Sequence, residues 1–431
     1  MFNLSELKQR RNQLLAAIDD SALIFLASAP EHFRNGDVHY PYRQNSDFYY
    51  VTAFPEPSAL ALLLPNAQGG KYILFNRPHD PIKTIWHGEA IGQERACEEY
   101  AADAAYSIDQ LETLLPDLVA DRHCYYWLGS QNLALVKRVN HILVNLNQLT
   151  APVESTVSLS SVLHEMRLSK SPFELLYLRQ AASISSQAHV RAMQACRPGL
   201  YEYQLEAELL YAFYQEGCRA SAYPSIVASG GNACILHYTD NNRVLKSGDL
   251  VLIDAGCEYR SYASDVTRCF PVNGQFSPEQ KAIYDIVLKT QQAVIALIKP
   301  GVIWDSLQTC CIQMLTEGLL ALGVLKGDVS SLIEQKAYKK FYMHGCSHWL
   351  GLDVHDVGHY KKDKQWRPLE TNMVFTVEPG IYIAAQTPGV DEKWWNIGIR
   401  IEDDVRVTEN SCEVFSNAPK EIADIESLMR S

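Results

Sequence analysis

Two apolar segments in the second half of the chain are each interrupted by a single carboxylate. Asp254 lies in the segment LVLIDAG, and Asp265 lies in the segment DVTRCF, eleven residues later. Both segments predict buried β-strands, and the polar stretch 258–262 between them predicts a hairpin turn. A carboxylate is costly to bury without a partner, and two neighbouring carboxylates raise each other's pKa. A divalent cation held between the two strands would satisfy both carboxylates.

Three further potential ligands follow towards the C-terminus. His348 lies in HGCSHWLGLDVHDVG, Glu378 follows VFTV, and Glu402 follows GIRI. Four carboxylates and one imidazole exceed the ligand number of a closed zinc site. The oxygen-rich set suits two hard divalent ions such as Mn²⁺. Its four negative charges offset two dications and leave room for a bridging hydroxide, which is the nucleophile of two-metal hydrolases.

The order Asp, Asp, His, Glu, Glu with these flanks resembles the pita-bread metallopeptidases, and within them the Xaa-Pro aminopeptidase (aminopeptidase P) family. The segment 347–358, SHWLGLDVHDVG, favours this family over the similar prolidases. The segment 40–54, YPYRQNSDFYYVTAF, resembles the N-terminal domain of the family, so the resemblance covers nearly the whole chain. It implies the α/β (α+β) class, with a small creatinase-like N-terminal α/β domain followed by a pita-bread catalytic domain with pseudo-twofold symmetry.

The resemblance implies two divalent metal ions, with Mn²⁺ expected. Their ligands would be Asp254, Asp265, His348, Glu378 and Glu402. In this arrangement Asp265 and Glu402 would bridge both ions. Asp254 would complete one site, and His348 with Glu378 would complete the other.

The resemblance also implies a metal-dependent exopeptidase that releases the N-terminal residue from peptides with proline at the second position, by attack of a metal-bridging hydroxide. His237 and His355 would face the scissile bond and stabilise the tetrahedral intermediate. Glu378 would also shuttle a proton. Arg400 precedes Glu402 by two residues and therefore lies on the same strand face, where it would pair with a carboxylate beside the metals.

Other interpretations remain open from the residues alone. A prolidase, which acts on Xaa-Pro dipeptides, would need a group that captures the free proline carboxylate. Methionine aminopeptidase shares the ligand order but lacks so large an N-terminal domain. A non-catalytic pita-bread binding module would have substituted ligands, and none is substituted here. Trp86 either approaches the site of a neighbouring subunit or is a buried aromatic residue, and the pair Trp394-Trp395 either lines a substrate cleft or packs internally.

Composition restricts the partners and the compartment. The net charge of −12 and the absence of a basic block argue against nucleic acid. Eleven cysteines without a regular spacing indicate reduced thiols in the cytoplasm rather than disulfides. The N-terminal residues 1–11 lack the apolar core of a signal peptide, and no apolar run is long enough to span a membrane. The family resemblance adds peptide substrates and a homo-oligomer, either a dimer or a tetramer.

The chain length of 431 residues predicts two domains. Residues 1–168 alternate short apolar strands with helical segments and form the predicted N-terminal α/β domain, for which we expect a role in oligomerisation and access to the site. Residues 169–431 form the predicted catalytic domain with the metal ligands. Two long helices in this domain end at Pro198-Gly199 and at Pro300-Gly301, 102 residues later, which suggests a weak internal repeat.

Overall fold

The computed structural model describes residues 3–66, 70–122, 124–128, 131–146 and 156–430, with side chains from residue 159 onwards in the last range. The chain divides into two compact units, Met1–Arg167 and Leu168–Ser431. Both mix helices with sheets, so the predicted α/β (α+β) class is confirmed. Among the described residues, no helix combines the length and the apolar character needed to cross a membrane.

The N-terminal unit is built on a five-stranded sheet with the strand order β6-β5-β4-β1-β7. Strand β4 runs antiparallel to β1 and β5, whereas β7 is parallel to β1 and β6 is parallel to β5. The helices of this unit are α1 (Leu4–Leu15), α2 (Ser46–Thr52), α3 (Pro81–His87), α4 (Gly92–Tyr100), α5 (Leu111–Val119), α6 (Leu133–Asn145) and α7 (Thr156–Leu168). The strands are β1 (Ala22–Ala27), β2 (Phe33–Asn35), β3 (Val38–His39), β4 (Leu60–Leu64), β5 (Lys71–Asn76), β6 (Ala104–Ser107) and β7 (Cys124–Leu128).

The central strands of this sheet are buried on both faces. All six residues of β1 are buried, as are all five of β4, and such continuous apolar runs are typical of strands covered on both sides. Phe25 of β1 stacks on Trp127 of β7, with ring centroids 4.9 Å apart. The alternation of short apolar strands with helical segments that the sequence predicts for this part of the chain is therefore confirmed.

The C-terminal unit contains two halves of similar order. In each half a pair of helices precedes a three-stranded antiparallel sheet, β12-β9-β8 in the first and β15-β18-β19 in the second. The helices are α8 (Pro172–Ala195), α9 (Glu202–Gln215), α10 (Pro278–Leu297), α11 (Asp305–Ala321), α12 (Val329–Glu334) and α13 (Ile422–Arg430). The strands are β8 (Ile226–Ser229), β9 (Leu250–Asp254), β10 (Glu258–Tyr259), β11 (Tyr262–Ala263), β12 (Thr267–Pro271), β13 (Lys361–Lys362), β14 (Gln365–Trp366), β15 (Val374–Val377), β16 (Gly380–Ile383), β17 (Ile397–Arg400), β18 (Asp403–Val407) and β19 (Cys412–Val414).

Local sequence accounts for the boundaries of the two long helices. Ser171 and Glu174 form a reciprocal capping box at the start of α8, in which each side chain accepts the backbone N–H of the other residue. Ser277 and Gln280 repeat this arrangement at the start of α10. Both helices end shortly before a Pro-Gly pair whose glycine has a positive φ, +91° at Gly199 and +87° at Gly301.

One strand boundary differs from the sequence prediction. Asp254 is the last residue of β9, but Asp265 precedes β12 by two residues instead of interrupting it. The stretch 258–262 is a small two-stranded hairpin of its own, with Arg260 and Ser261 at φ +53° and +68°. A two-residue turn with both φ values positive matches the right-handed twist of the strands it joins. The hairpin therefore places Asp265 in the short connection after β11.

The two halves of the C-terminal unit meet beside these carboxylates. An isolated antiparallel bridge pairs Thr267, the first residue of β12, with Glu402, which lies between β17 and β18. The Glu402 N–H donates to the Thr267 carbonyl at 3.1 Å. This contact brings residues of the first half against residues more than a hundred positions later in the chain.

Candidate functional site

A buried group of carboxylates and one imidazole occupies the seam between the two halves. Ligand atoms of Asp265, His348 and Glu402 lie within 4.8 Å of one another, an arrangement able to hold a metal ion. The His348 Nε2 is 3.3 Å from Asp265 Oδ2 and 3.6 Å from Glu378 Oε1. Asp254 lies on the adjacent strand end, where its register partner in β12 is Thr267. The structure thus brings together all five residues for which the sequence predicts metal binding.

The hydrogen bonding of His348 leaves one ring nitrogen directed at the carboxylates. Its Nδ1–H donates to the Trp349 carbonyl at 3.1 Å, so the second nitrogen, Nε2, faces Asp265 and Glu378. A neutral imidazole in this tautomer presents a lone pair at Nε2. A lone pair beside two carboxylates requires either a proton or a cation, and a backbone carbonyl that accepts the N–H of the other ring nitrogen is typical of metal-binding histidines.

Arg400 connects the carboxylates on the opposite side of the group. Its guanidinium forms an ion pair with Asp254 and donates to the Tyr382 hydroxyl at 2.9 Å and the Thr267 hydroxyl at 3.2 Å. The Thr267 hydroxyl in turn donates to Glu402 Oε2 at 2.6 Å. Arg400 is 4% exposed, so this positive charge is held inside the protein by three polar partners, Asp254, Tyr382 and Thr267.

The single positive charge of Arg400 does not balance the negative charge of the surrounding carboxylates. Burial, followed by repulsion from Asp265, raises the pKa of Glu402 well above its ordinary value. Burial likewise raises the pKa of Glu378 to about 7 and that of Asp254 above its ordinary value, although Arg400 opposes both shifts. Divalent cations would allow these carboxylates to ionise together, so the donor set fits such ions.

The same negative charges favour the charged form of His348, whereas they disfavour the charged forms of the carboxylates. Burial disfavours the charged form of this histidine, but the hydrogen bond that its protonated ring donates to Asp265 and the charge of Glu378 raise its pKa to about 9. Burial would also raise the pKa of Asp265, but the contacts of this residue with His348 hold its pKa below the ordinary value. In the ion-free protein, a proton on His348 therefore takes the place that a cation would occupy.

An open cavity of about 280 Å³ leads to this group. It is lined by every residue for which the sequence predicts a catalytic role, namely His237, His355, Glu378 and Arg400. The His355 ring meets the His348 ring edge-on, with centroids 4.4 Å apart. A larger cavity of about 540 Å³ lies in the N-terminal unit, but it contains none of the predicted site residues, so the chemistry of the lining selects the smaller one.

The side chains of Tyr223, His344 and Tyr382 contribute to the site but are missing from the sequence prediction. The Tyr223 hydroxyl donates to Asp254 Oδ1 at 2.6 Å and also contacts Asp265. His344 lines the cavity, and its Nε2 lies 2.8 Å from the Tyr382 hydroxyl. Nothing near Tyr223 in the sequence identifies it, because its partners lie 31 and 42 residues away. His344 lies only four residues before His348, so its nearness to the predicted ligand was the one available signal.

The three tryptophans for which the sequence left two interpretations open lie in different environments. Trp394 is 7% exposed and packs within the core of the C-terminal unit. The indole N–H of Trp395 donates to the Val390 carbonyl at 3.1 Å. Trp86 is 78% exposed on α3, so the buried alternative is wrong for this residue.

Comparison with known proteins agrees with the fold and the site. The model of metallopeptidase family M24 matches residues 177–409, and that of the aminopeptidase P N-terminal domain matches residues 7–126. The Xaa-Pro aminopeptidases of Haemophilus influenzae and Escherichia coli are 46% and 44% identical, each over 98% of this chain and 97% of their own length. The solved structure of Pseudomonas aeruginosa aminopeptidase PepP is similar with a TM-score of 0.94 at 47% identity, covering 100% of this chain and 98% of that one.

A second solved structure, zinc-substituted E. coli aminopeptidase P in complex with product, also has a TM-score of 0.94, at 42% identity, with 100% of this chain and 98% of that chain covered. These matches extend over both units of the chain. They confirm the resemblance that the ligand motifs predict. The chain belongs to metallopeptidase family M24 and, within it, to the aminopeptidase P group.

Proposed function

We propose that this protein is a metal-dependent exopeptidase that removes the N-terminal residue from peptides whose second residue is proline. The observation that carries the proposal is the convergence of four carboxylates, His348 and three further histidines in one open pocket. Membership in family M24 makes the protein a metallopeptidase. The preference for proline rests on the relatives named Xaa-Pro aminopeptidase.

The metal ligands that we propose are Asp254, Asp265, His348, Glu378 and Glu402. Asp265 and Glu402 would hold the ions together with His348, since ligand atoms of these three residues lie within 4.8 Å of one another. We propose Mn²⁺ because four of the five donors are carboxylates, which suit a hard cation. When bound, two such ions would act as Lewis acids and lower the pKa of a water molecule.

Carbonyl stabilisation, proton transfer and positioning of a ligand would be performed by different side chains of the site. His237 and His355 line the mouth of the cavity, where an imidazole N–H would donate to the oxygen of the scissile carbonyl as its charge develops. Glu378 would accept the proton of the attacking water and pass it to the leaving nitrogen. Arg400 would hold Asp254 in place through the ion pair between them.

The chemistry of an Xaa-Pro bond explains why a dedicated site is needed. Its nitrogen belongs to the pyrrolidine ring and has no N–H, so peptidases that bind this N–H cannot position the bond. A site that relies on the metal centre and on the free α-amine of the substrate does not require it. The buried carboxylates would attract that amine and so restrict cleavage to the first residue.

Two other functions are less well supported. A prolidase would act on the dipeptide alone, and the near-full-length relatives are named Xaa-Pro aminopeptidase. A non-catalytic binding module would lack ligands, whereas all five are present and converge.

We also propose a role for the N-terminal unit, residues 1–168, in oligomerisation and in access to the site of the catalytic domain, residues 169–431. Helix α3 exposes Ile82, Ile85 and Trp86 by 72%, 82% and 78%. Three such apolar side chains on one short helix suit a contact with another subunit of a dimer or tetramer. A cytoplasmic location is supported by the eleven cysteines, all of which are free thiols in the described residues. The net charge of −12 supports the absence of a nucleic-acid partner.

The deciding experiment compares three peptides in the presence of Mn²⁺: Xaa-Pro, Xaa-Pro-Yaa and Xaa-Ala-Yaa. We expect cleavage of Xaa-Pro-Yaa after its first residue and no cleavage of Xaa-Ala-Yaa. Turnover of Xaa-Pro alone would identify a prolidase instead. No turnover of any peptide by protein with a measured metal content of two ions would reject the catalytic proposal.

A further inference from the structure

Glu202, the first residue of α9, is a fully buried carboxylate whose recorded partners are all uncharged groups. Its Oε1 accepts the backbone N–H and the hydroxyl of Ser229, both at 2.7 Å, and the side-chain amide of Asn232 at 3.2 Å. Its Oε2 accepts the hydroxyl of Tyr238 at 2.8 Å and the backbone N–H of Arg243 at 2.9 Å. Five donors from 15 consecutive residues, 229–243, therefore converge on one side chain that is 0% exposed.

The segment held in this way carries His237. Two of the donor residues precede His237 and two follow it, and Tyr238 is its immediate neighbour. His237 itself is exposed and lines the cavity of the metal centre. Within the described residues, no hydrogen bond to its imidazole is recorded, so the position of the ring depends on the backbone that Glu202 holds.

In the other half of the domain, the position equivalent to Glu202 is occupied by Trp304, which also supports a segment that carries a histidine. Trp304 follows Glu202 by 102 residues, the same displacement that separates the two Pro-Gly pairs. Its ring lies 4.1 Å from that of Trp349 and 4.9 Å from that of Tyr360, centroid to centroid. These two aromatic residues flank the segment that contains His355. One position of the repeat thus supports a histidine-bearing segment in each half, through a carboxylate in the first and through aromatic packing in the second.

We propose that Glu202 is a positioning residue that sets the place of His237 in the active site. This inference rests on the proposed function, because it assumes that His237 contacts the substrate. A buried carboxylate needs its hydrogen bonds, since each donor that loses its acceptor would be left unpaired away from water. Glutamine at this position keeps the shape but replaces one accepting oxygen with an NH₂ group, which would face donors. The 229–243 segment would then loosen, and His237 would no longer be held against the substrate.

The test is a double-mutant cycle with Glu202→Gln and His237→Ala, measured as kcat/KM for an Xaa-Pro-Yaa peptide with Mn²⁺. We expect Glu202→Gln to lower kcat/KM about tenfold or more in the wild-type background and less than about twofold in the His237→Ala background. The matched control is Glu174→Gln, since Glu174 is also a buried carboxylate in the first turn of a helix but bonds to Ser171 and Tyr262. Any effect of Glu174→Gln should be the same in both backgrounds.

A second measurement on the metal-free protein does not depend on activity. Hydrogen–deuterium exchange should become faster in residues 229–243 of Glu202→Gln and remain unchanged there in Glu174→Gln. Tyr238→Phe, which removes only one of the five donors, provides a milder variant, with the same non-additivity expected at a smaller loss of activity.

The outcomes distinguish this inference from the proposed function. Full activity of Glu202→Gln, equal losses in both backgrounds, or faster exchange spread over the whole C-terminal unit would each overturn the positioning role. If the wild-type protein failed to cleave any Xaa-Pro-Yaa peptide, the proposed function would fail instead. Hydrogen exchange would then still decide whether Glu202 holds the His237 segment.

Discussion

Loss of the buried ion pair between Lys170 and Asp356 should destabilise the C-terminal unit strongly. The Lys170 Nζ lies 2.8 Å from Asp356 Oδ2, and both side chains are 1% exposed. The pair fills the space beside Gly351, where an added Cβ would lie 2.1 Å from Asp356 Oδ2. The backbone N–H of Lys170 is anchored on the Asn372 carbonyl at 2.9 Å. The ion pair therefore ties the residues before α8 to the segment that carries His355.

The magnitude follows from burial and distance. At 2.8 Å and an effective dielectric constant of about 20, the attraction between the two charges is about 6 kcal/mol, most of which is offset by the cost of removing both from water. Replacing Lys170 with methionine would remove the cation that lies 2.8 Å from the buried Asp356 carboxylate, and the loss of one partner of a buried ion pair costs about 3–5 kcal/mol. The double variant Lys170→Met/Asp356→Asn removes both charges and should cost no more than either single variant.

The assay is urea unfolding of the metal-free protein followed by tryptophan fluorescence. Five of the seven tryptophans lie in the C-terminal unit, so the signal reports mainly on that unit. The matched control is Arg191→Met, which removes one partner of a half-exposed pair with Glu208 and should cost less than about 1 kcal/mol. The reasoning would be refuted if Lys170→Met cost no more than this control, or if the double variant cost the sum of the two single variants.

Further predictions concern the metal site and the dependence of stability on pH. Asp265→Ala or Glu402→Ala should abolish both activity and metal loading, and turnover retained by either variant would reject the two-metal assignment. A chelator should remove activity, and Mn²⁺ at about 100 times its Kd should restore it and stabilise the fold by about 3 kcal/mol, measured as a rise in Tm. Burial, reinforced by Arg268, lowers the pKa of His189 from 6.5 to about 4. The unfolded chain therefore binds a proton that the folded protein excludes, so the contribution of His189 is fully present above pH 6.5 and is lost between pH 6.5 and 4, by up to roughly 3 kcal/mol. His189→Asn should flatten this part of the stability profile in urea titrations, and an unchanged profile would contradict the assignment.

Short-range features of the fold could be predicted because their causes are local. The start of α8 depends on Ser171 and Glu174, which are three residues apart, and its end depends on the nearby Pro-Gly pair. The continuous apolar run of β1 likewise predicts a strand that is buried on both faces. The position of Asp265 could not be predicted in this way, because the hairpin β10–β11 displaces it from the strand.

The candidate metal ligands and their order along the chain could be predicted from the sequence alone, because only certain side chains bind hard cations and these side chains lie in short contiguous motifs. The tertiary structure decided which groups surround those ligands. Tyr223 reaches Asp254 and Asp265 across 31 and 42 residues, and Lys170 reaches Asp356 across 186. Buried charges accept only partners that the packing of distant segments brings within hydrogen-bond distance. For this reason the carboxylates could be proposed as ligands from the sequence, whereas the residues that hold the surrounding segments in place could be identified only in the folded chain.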